Sequence, residues 1–173
     1  MAELQKGLEG VIASETKVSS IIDSQLTYAG YEIDDLAENA EFEEVVFLLW
    51  HYRLPNKEEL QAFKEKVFKY MTLNPRVYNH FKEYATSNVH PMTALRTSVS
   101  YIAHFDEHAE DESDDQTMER AVRIQAKIAS LVTAYARVRD GKEPVKPSSD
   151  LNYAANFLYM LRGELPTDIE VEA

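Results

Sequence analysis

The sequence predicts a mainly α-helical globular fold with a small β-hairpin near its N-terminus, and three observations carry that prediction. Apolar residues recur at helical spacing through most of the chain from Ile33 onward. Leu-Pro and Asn-Pro junctions, capping residues and two well-placed glycines cut that pattern into helix-length segments. The 173 residues are 45% hydrophobic and 28% charged, the balance of a chain that buries a core rather than one that stays disordered.

The elements follow in order. Residues 16–22 and 25–28 are rich in β-branched and aromatic side chains and flank Asp23-Ser24, a turn pair, so they read as a hairpin that Gly30 ends. Everything after Gly30 reads as helix. Residues 33–37 make a short one. Residues 41–52 follow, with Phe42, Val45, Val46, Leu49 and Trp50 on a wide apolar face, and Leu54-Pro55 stops them. Asn56, three residues before Glu59, is a variant capping box opening a helix marked by Leu60, Phe63, Val67 and Tyr70. Asn74-Pro75 starts the next, with Val77, Tyr78, Phe81 and Tyr84 inward. His90-Pro91 introduces another, in which Leu95, Val99 and Ile102 recur. Asp106, Glu107, Glu110, Asp111, Glu112, Asp114 and Asp115 form an acidic run expected to be a solvated, mobile loop. The longest helix spans 116–140 and ends at Gly141 as a left-handed cap; another spans 151–162 and ends at Gly163. Thr167 and Glu170 then form a capping box with little chain behind it. Nucleation is costly and a short helix is marginal alone, so the chain is expected to be a piece of a longer one.

Composition narrows the function. The formal net charge is -12 and the chain has no cysteine, which removes disulfides, thiolate metal sites and cysteine nucleophiles together. An acidic surface with scattered Lys and Arg argues against nucleic acid and anionic lipid as partners. No apolar run is long enough to span a bilayer and the first residues lack a signal-peptide core, so a cytoplasmic location is expected. None of the five glycines belongs to a phosphate-cradling loop.

The residue types that carry chemistry give no site by themselves. His104 and His108 lie four apart near carboxylates and could be read as a metal site, but the acidic loop interrupts any helix between them. His90 reads as a helix-start cap. The doublets Asp34-Asp35, Glu43-Glu44 and Glu58-Glu59 point to different sides of their helices and read as solvated faces rather than acid–base pairs. The 116–140 helix is different: Ala121, Ala126, Ala129, Ser130, Ala134 and Ala136 are small, and small residues let helix axes approach closely. A central core helix and a helix packed on its copy in a dimer both fit.

Four segments, taken together, resemble the citrate synthase family of bacterial type. Gly7-Leu8-Glu9-Gly10-Val11 with Glu15-Thr16 is similar to its opening. Residues 28–37, read as YAGYEIDDLA, resemble its "YRGYDIEDLA" segment. Residues 90–100, HPMTALRTSVS, resemble its "HPMDALRTAVS" helix. Residues 153–161 resemble the stretch before its first active-site segment. Ala29 stands where many relatives have arginine, so an anion contact made there is missing.

The resemblance implies a mainly α-helical fold, here the N-terminal portion of the large domain over residues 1–173. It implies a homodimer that condenses acetyl-CoA with oxaloacetate and water to citrate and CoA in the tricarboxylic acid cycle. It further implies that the catalytic histidines and aspartate belong to motifs of the "HADHELN", "GPLHGGANE" and "GHRVY" kind, none of which occurs here. No catalytic residue, metal or bound cofactor is therefore expected in this chain, with acetyl-CoA a substrate of the longer enzyme only. Family members build a helical sandwich between subunits from these regions, which makes Leu95, Val99, Ala126, Ala129 and Ser130 the candidate dimer-interface residues. The alternatives are a 2-methylcitrate synthase using propionyl-CoA, and a non-catalytic helical dimerisation module.

Overall fold

The computed structural model describes residues 12, 14–85 and 89–172; the segment 7–11 that resembles the family's opening lies outside them. The chain divides into two compact units, Met1–Leu60 and Gln61–Ala173.

In the first unit β1 (Ser19–Ile22) pairs antiparallel with β2 (Gln25–Tyr28) in the register Ser19↔Tyr28 to Ile22↔Gln25. The turn is Asp23-Ser24, with φ of 50° and 68°. Positive φ at both central residues gives the turn the twist that matches its strands. Across the pair, the Ser20 and Thr27 hydroxyls hydrogen-bond at 2.8 Å. The hairpin does not end at Gly30. Ala29 and Gly30, with φ of 47° and 92°, form a second two-residue turn that returns β3 (Tyr31–Glu32) against β2, Tyr28 opposite Tyr31. A two-residue strand is too short to show an alternating pattern, so periodicity did not reveal it.

Helix α1 (Ile33–Asn39) follows at once, burying Leu36. Helix α2 (Phe42–His51) opens on Glu44, whose carboxylate accepts from the Glu41 N–H at 2.8 Å, and closes on Tyr52 in the left-handed region. Its most buried residues are Glu43, Phe47 and Leu48, while Phe42 is 46% exposed. The apolar face expected from the sequence is therefore rotated. Nearly every position from 45 to 50 is apolar, and such a run does not say which arc faces inward. Beyond α2, Asn56 and Glu59 form the expected reciprocal box, each backbone N–H reaching the other's side chain at 2.9 Å. Arg53 grips the Glu59 carboxylate with both terminal nitrogens, at 2.8 and 2.6 Å.

Helix α3 (Lys57–Met71) crosses the division between the units. In the second unit, α4 (Pro75–Tyr84) and α5 (Pro91–Ile102) each begin with proline after a capping side chain: Asn74 Oδ1 accepts from the Arg76 N–H, and His90 Nδ1 from the Met92 N–H. A 3-10 turn (Ala103–Phe105) leads to the loop before α6 (Asp114–Arg139). Helix α6 is central, packing on α4, α5 and α7 (Tyr153–Arg162). Leu73, Val77, Phe81, Ala94, Ile102, Leu131, Ala134 and Tyr135 form one buried cluster, each burying apolar area at about 25 cal/mol per Å². The loop between α6 and α7 is pinned by Asn156, 1% exposed, which binds the Ser148 N–H and the Ser148 and Leu151 carbonyls. Gly163 caps α7 at φ 87°, and a Cβ there would stand 3.0 Å from Arg137 Nη1. The positive φ favours glycine there. The short α8 (Asp168–Glu172) starts where Glu170 accepts from the Thr167 N–H, and Arg162 pairs with Glu170.

Candidate functional site

The second unit carries an apolar groove and a charged face, both built on α6. The first is a groove of about 510 Å³ between α5 and α6, lined by Met92, Leu95, Val132, Tyr135, Ala136 and Arg139 among others. It is largely apolar. Among the described residues the buried Tyr135 hydroxyl has no hydrogen-bond partner, whereas Tyr84 and Ser98 nearby bond each other at 2.9 Å.

The second is a charged face at the other end of the helix. Glu119, Arg123 and Lys127 lie four residues apart, and such spacing puts all three on one side. Glu119 accepts from Lys66 Nζ at 2.7 Å and from the Tyr70 hydroxyl at 2.6 Å. These bonds hold its carboxyl below the usual range and raise that of the Tyr70 hydroxyl. Arg123 Nε donates to Asp106 Oδ2 at 2.7 Å, and the pair is nearly buried, with side chains 8% and 13% exposed. Burial would raise the Asp106 pKa, but the His108 backbone N–H and Arg123 more than offset it, so the carboxyl titrates low.

This geometry corrects the expectation of a uniformly solvated acidic loop. Asp106 is a half-buried ion-pair partner, and Arg120 holds the loop's backbone through the carbonyls of His108 and Asp111. The other six carboxylates of the run are exposed. The partners stand nine to 17 positions apart in sequence, beyond any helical period, so spacing could not pair them.

Three of the histidines make local structural contacts. His90 caps α5, His51 lies over Phe47 with ring centres 4.1 Å apart, and His80 stacks on Tyr101 at 4.3 Å. His104, within the 3-10 turn, and His108, in the loop after it, are both exposed. Among the described residues no three His, Asp or Glu side chains gather as a metal would need, and none of the histidines lines the groove.

The candidate interface residues divide. Ala126, Ala129 and Ser130 are at most 2% exposed within the single chain. The close approach their size permits is used by α7: Ser130 Oγ lies 3.6 Å from Met160 Sδ, and the Tyr153 hydroxyl reaches the Gln125 carbonyl at 2.9 Å. Leu95 and Val99 on α5 are half-buried, and Leu95 opens onto the groove. No described helix is long and apolar enough to cross a membrane.

The family model described as "Citrate synthase, C-terminal domain" matches residues 7–173. The chain is 51% identical to "Citrate synthase 2" of Bacillus subtilis over 97% of its own length and 45% of that protein's. It is 37% identical to the "Citrate/2-methylcitrate synthase" of the same organism, over 95% of itself and 44% of the relative. Among solved structures, the citrate synthase of Pyrobaculum aerophilum superposes with a TM-score of 0.88 at 32% identity, covering 96% of this chain and 44% of that one. The chain thus spans about half the length of the relatives it matches.

Proposed function

The chain belongs to the citrate synthase family, and on that premise we propose that it serves as helical scaffold in a subunit that condenses acetyl-CoA with oxaloacetate. One observation carries the reading: 51% identity runs over nearly the whole chain to a protein named for citrate synthesis. The order of the motifs, from the segment like the family's opening to the stretch that precedes its first active-site segment, supports assigning residues 1–173 to the N-terminal portion of the large domain. The catalytic histidines and aspartate then belong to other segments of the subunit, and residues 1–173 alone are inactive. A propionyl-CoA-using 2-methylcitrate synthase is the second reading, favoured by the 37% identical relative whose name includes both reactions.

The subunit is proposed to pair with a second copy across α5 and α6 and to work in the cytoplasm. The apolar α5–α6 groove, with Leu95, Val132 and Ala136 along it, supports that choice of surface. A free-standing dimerisation module is the reading to be displaced.

An assay of free CoA release from acetyl-CoA and from propionyl-CoA, each with oxaloacetate, tests the function. A complete subunit should turn over acetyl-CoA faster, and residues 1–173 alone should not exceed background. Turnover by residues 1–173 would mean the active site has been misplaced; a complete subunit inert with both thioesters would remove the enzymatic reading.

A further inference from the structure

Lys127 of α6 is a half-buried amine to which the described residues offer no hydrogen bond or ion pair. Its Nζ nevertheless keeps accessible surface, unlike the buried unpaired nitrogens of Arg120 and Arg123. The side chain lines a cavity of about 280 Å³ between the α3–α4 connection and the end of α5, together with Thr72, Leu73, Asn74, Val77, Ile102 and Phe105. No carboxylate borders that cavity. The nearest acid, Asp106, already accepts from Arg123 Nε and from the His108 N–H. Lys66 and Lys82, by contrast, each hold a glutamate, at 2.7 and 3.1 Å.

An ammonium in such surroundings is less well solvated than one on the open surface, which shifts the balance toward the neutral amine. Burial holds the Lys127 pKa below the ordinary lysine range; Asp106 opposes that shift and Arg123 adds to it. A lysine desolvated beside another cation is the arrangement that makes an amine nucleophilic at neutral pH. The surroundings also choose among products. A protonated imine would keep the charge that burial disfavours, whereas an amide removes it. The apolar side chains of Leu73, Val77, Ile102 and Phe105 suit a short acyl chain, and the cavity has room for one.

We propose that Lys127 is a covalent acylation site, at which its amine takes a short acyl group from a thioester. The Nζ lone pair attacks the thioester carbonyl carbon. A C–N bond forms, the C–S bond breaks, and the sulfur leaves with the electron pair and takes up the proton that the amine loses. This goes beyond the condensing reaction, and its test contains no oxaloacetate, so either can fail without the other. The whole chain is incubated with S-acetyl-N-acetylcysteamine, a small acetyl thioester, and acetylated lysines are mapped over time by peptide mass spectrometry. Lys127 should gain acetyl several-fold faster than the exposed Lys57 and Lys146. Unfolding in guanidinium chloride before the reagent is added should erase that lead, because it comes from the fold. Lys127→Arg should remove the fast phase of acetyl uptake from the intact mass, while Lys57→Arg should leave it in place. The site map of the unmodified chain stands even if a variant folds poorly. A rate at Lys127 no higher than at Lys57 and Lys146, or a lead that survives unfolding, would overturn the site.

Discussion

In the first half of α6, Glu119 and Arg123 present one charged face, held to α3 by Lys66 and Tyr70 and to the preceding loop by Asp106. In the second half, Ala129, Ser130, Leu131, Thr133 and Ala134 are nearly inaccessible, and the neighbours are the apolar faces of α4, α5 and α7. One helix therefore uses two kinds of cohesion. The charged half relies on matched partners, where losing one member strands the other. The small-residue half relies on close contact, where added bulk or charge has nowhere to go. Their responses to substitution should differ in kind as well as in size.

The largest effect is expected from Ala129→Glu. It places a carboxylate with no partner into a dry contact that is 2% exposed, at a cost of roughly 4 kcal/mol or more. Loss of a cooperative thermal transition in the isolated chain is the expected outcome, because the site is buried in one copy whatever the oligomeric state. A folded but monomeric variant, seen by sedimentation, would instead put Ala129 at a subunit contact and blur the distinction between the halves.

A smaller loss should follow in the charged half. Asp106→Ala strands Arg123 among buried neighbours and should destabilise by about 3 kcal/mol in urea unfolding. The double variant Asp106→Leu with Arg123→Met should cost less than Asp106→Ala alone, since it removes the stranded charge as well. Equal costs for the two would show that packing, not charge pairing, holds this half.

The smallest effect concerns pH. The Glu119 carboxyl is held low by its hydrogen bonds from Lys66 and Tyr70. A folded pKa below the unfolded one, which lies near pH 4.3, means stability that is present above the unfolded value and lost as pH falls through the folded one. Tm should decline below about pH 4.5, and Glu119→Gln should flatten that limb while leaving neutral behaviour little altered. An unchanged acid limb in the variant would assign the decline to other carboxylates.

Local signals were the legible ones. Asn56 with Glu59, Asn74-Pro75, His90-Pro91 and Gly163 each act within three or four residues, and each caps or closes a helix as its type requires. The hairpin was legible for the same reason, through Asp23-Ser24 between two β-rich runs, whereas the two residues of β3 carried no pattern. The rotated face of α2 shows the limit of periodicity: where almost every residue is apolar, the inward arc is chosen by what packs there. Beside the loop before α6, sequence showed Arg123 as one of many scattered charges, because its partner, Asp106, approaches only after the loop folds back.

By itself the sequence determined the helical class, the places where helices start and stop, and the family, because capping chemistry and motif order are properties of neighbouring residues. The tertiary structure alone decided that the small residues of α6 close on α7 within one chain. It alone decided that Asp106 leaves the acidic run to pair with Arg123. Those outcomes depend on which surfaces meet in space, and a buried charge or a close contact acquires its energy only when its partner arrives.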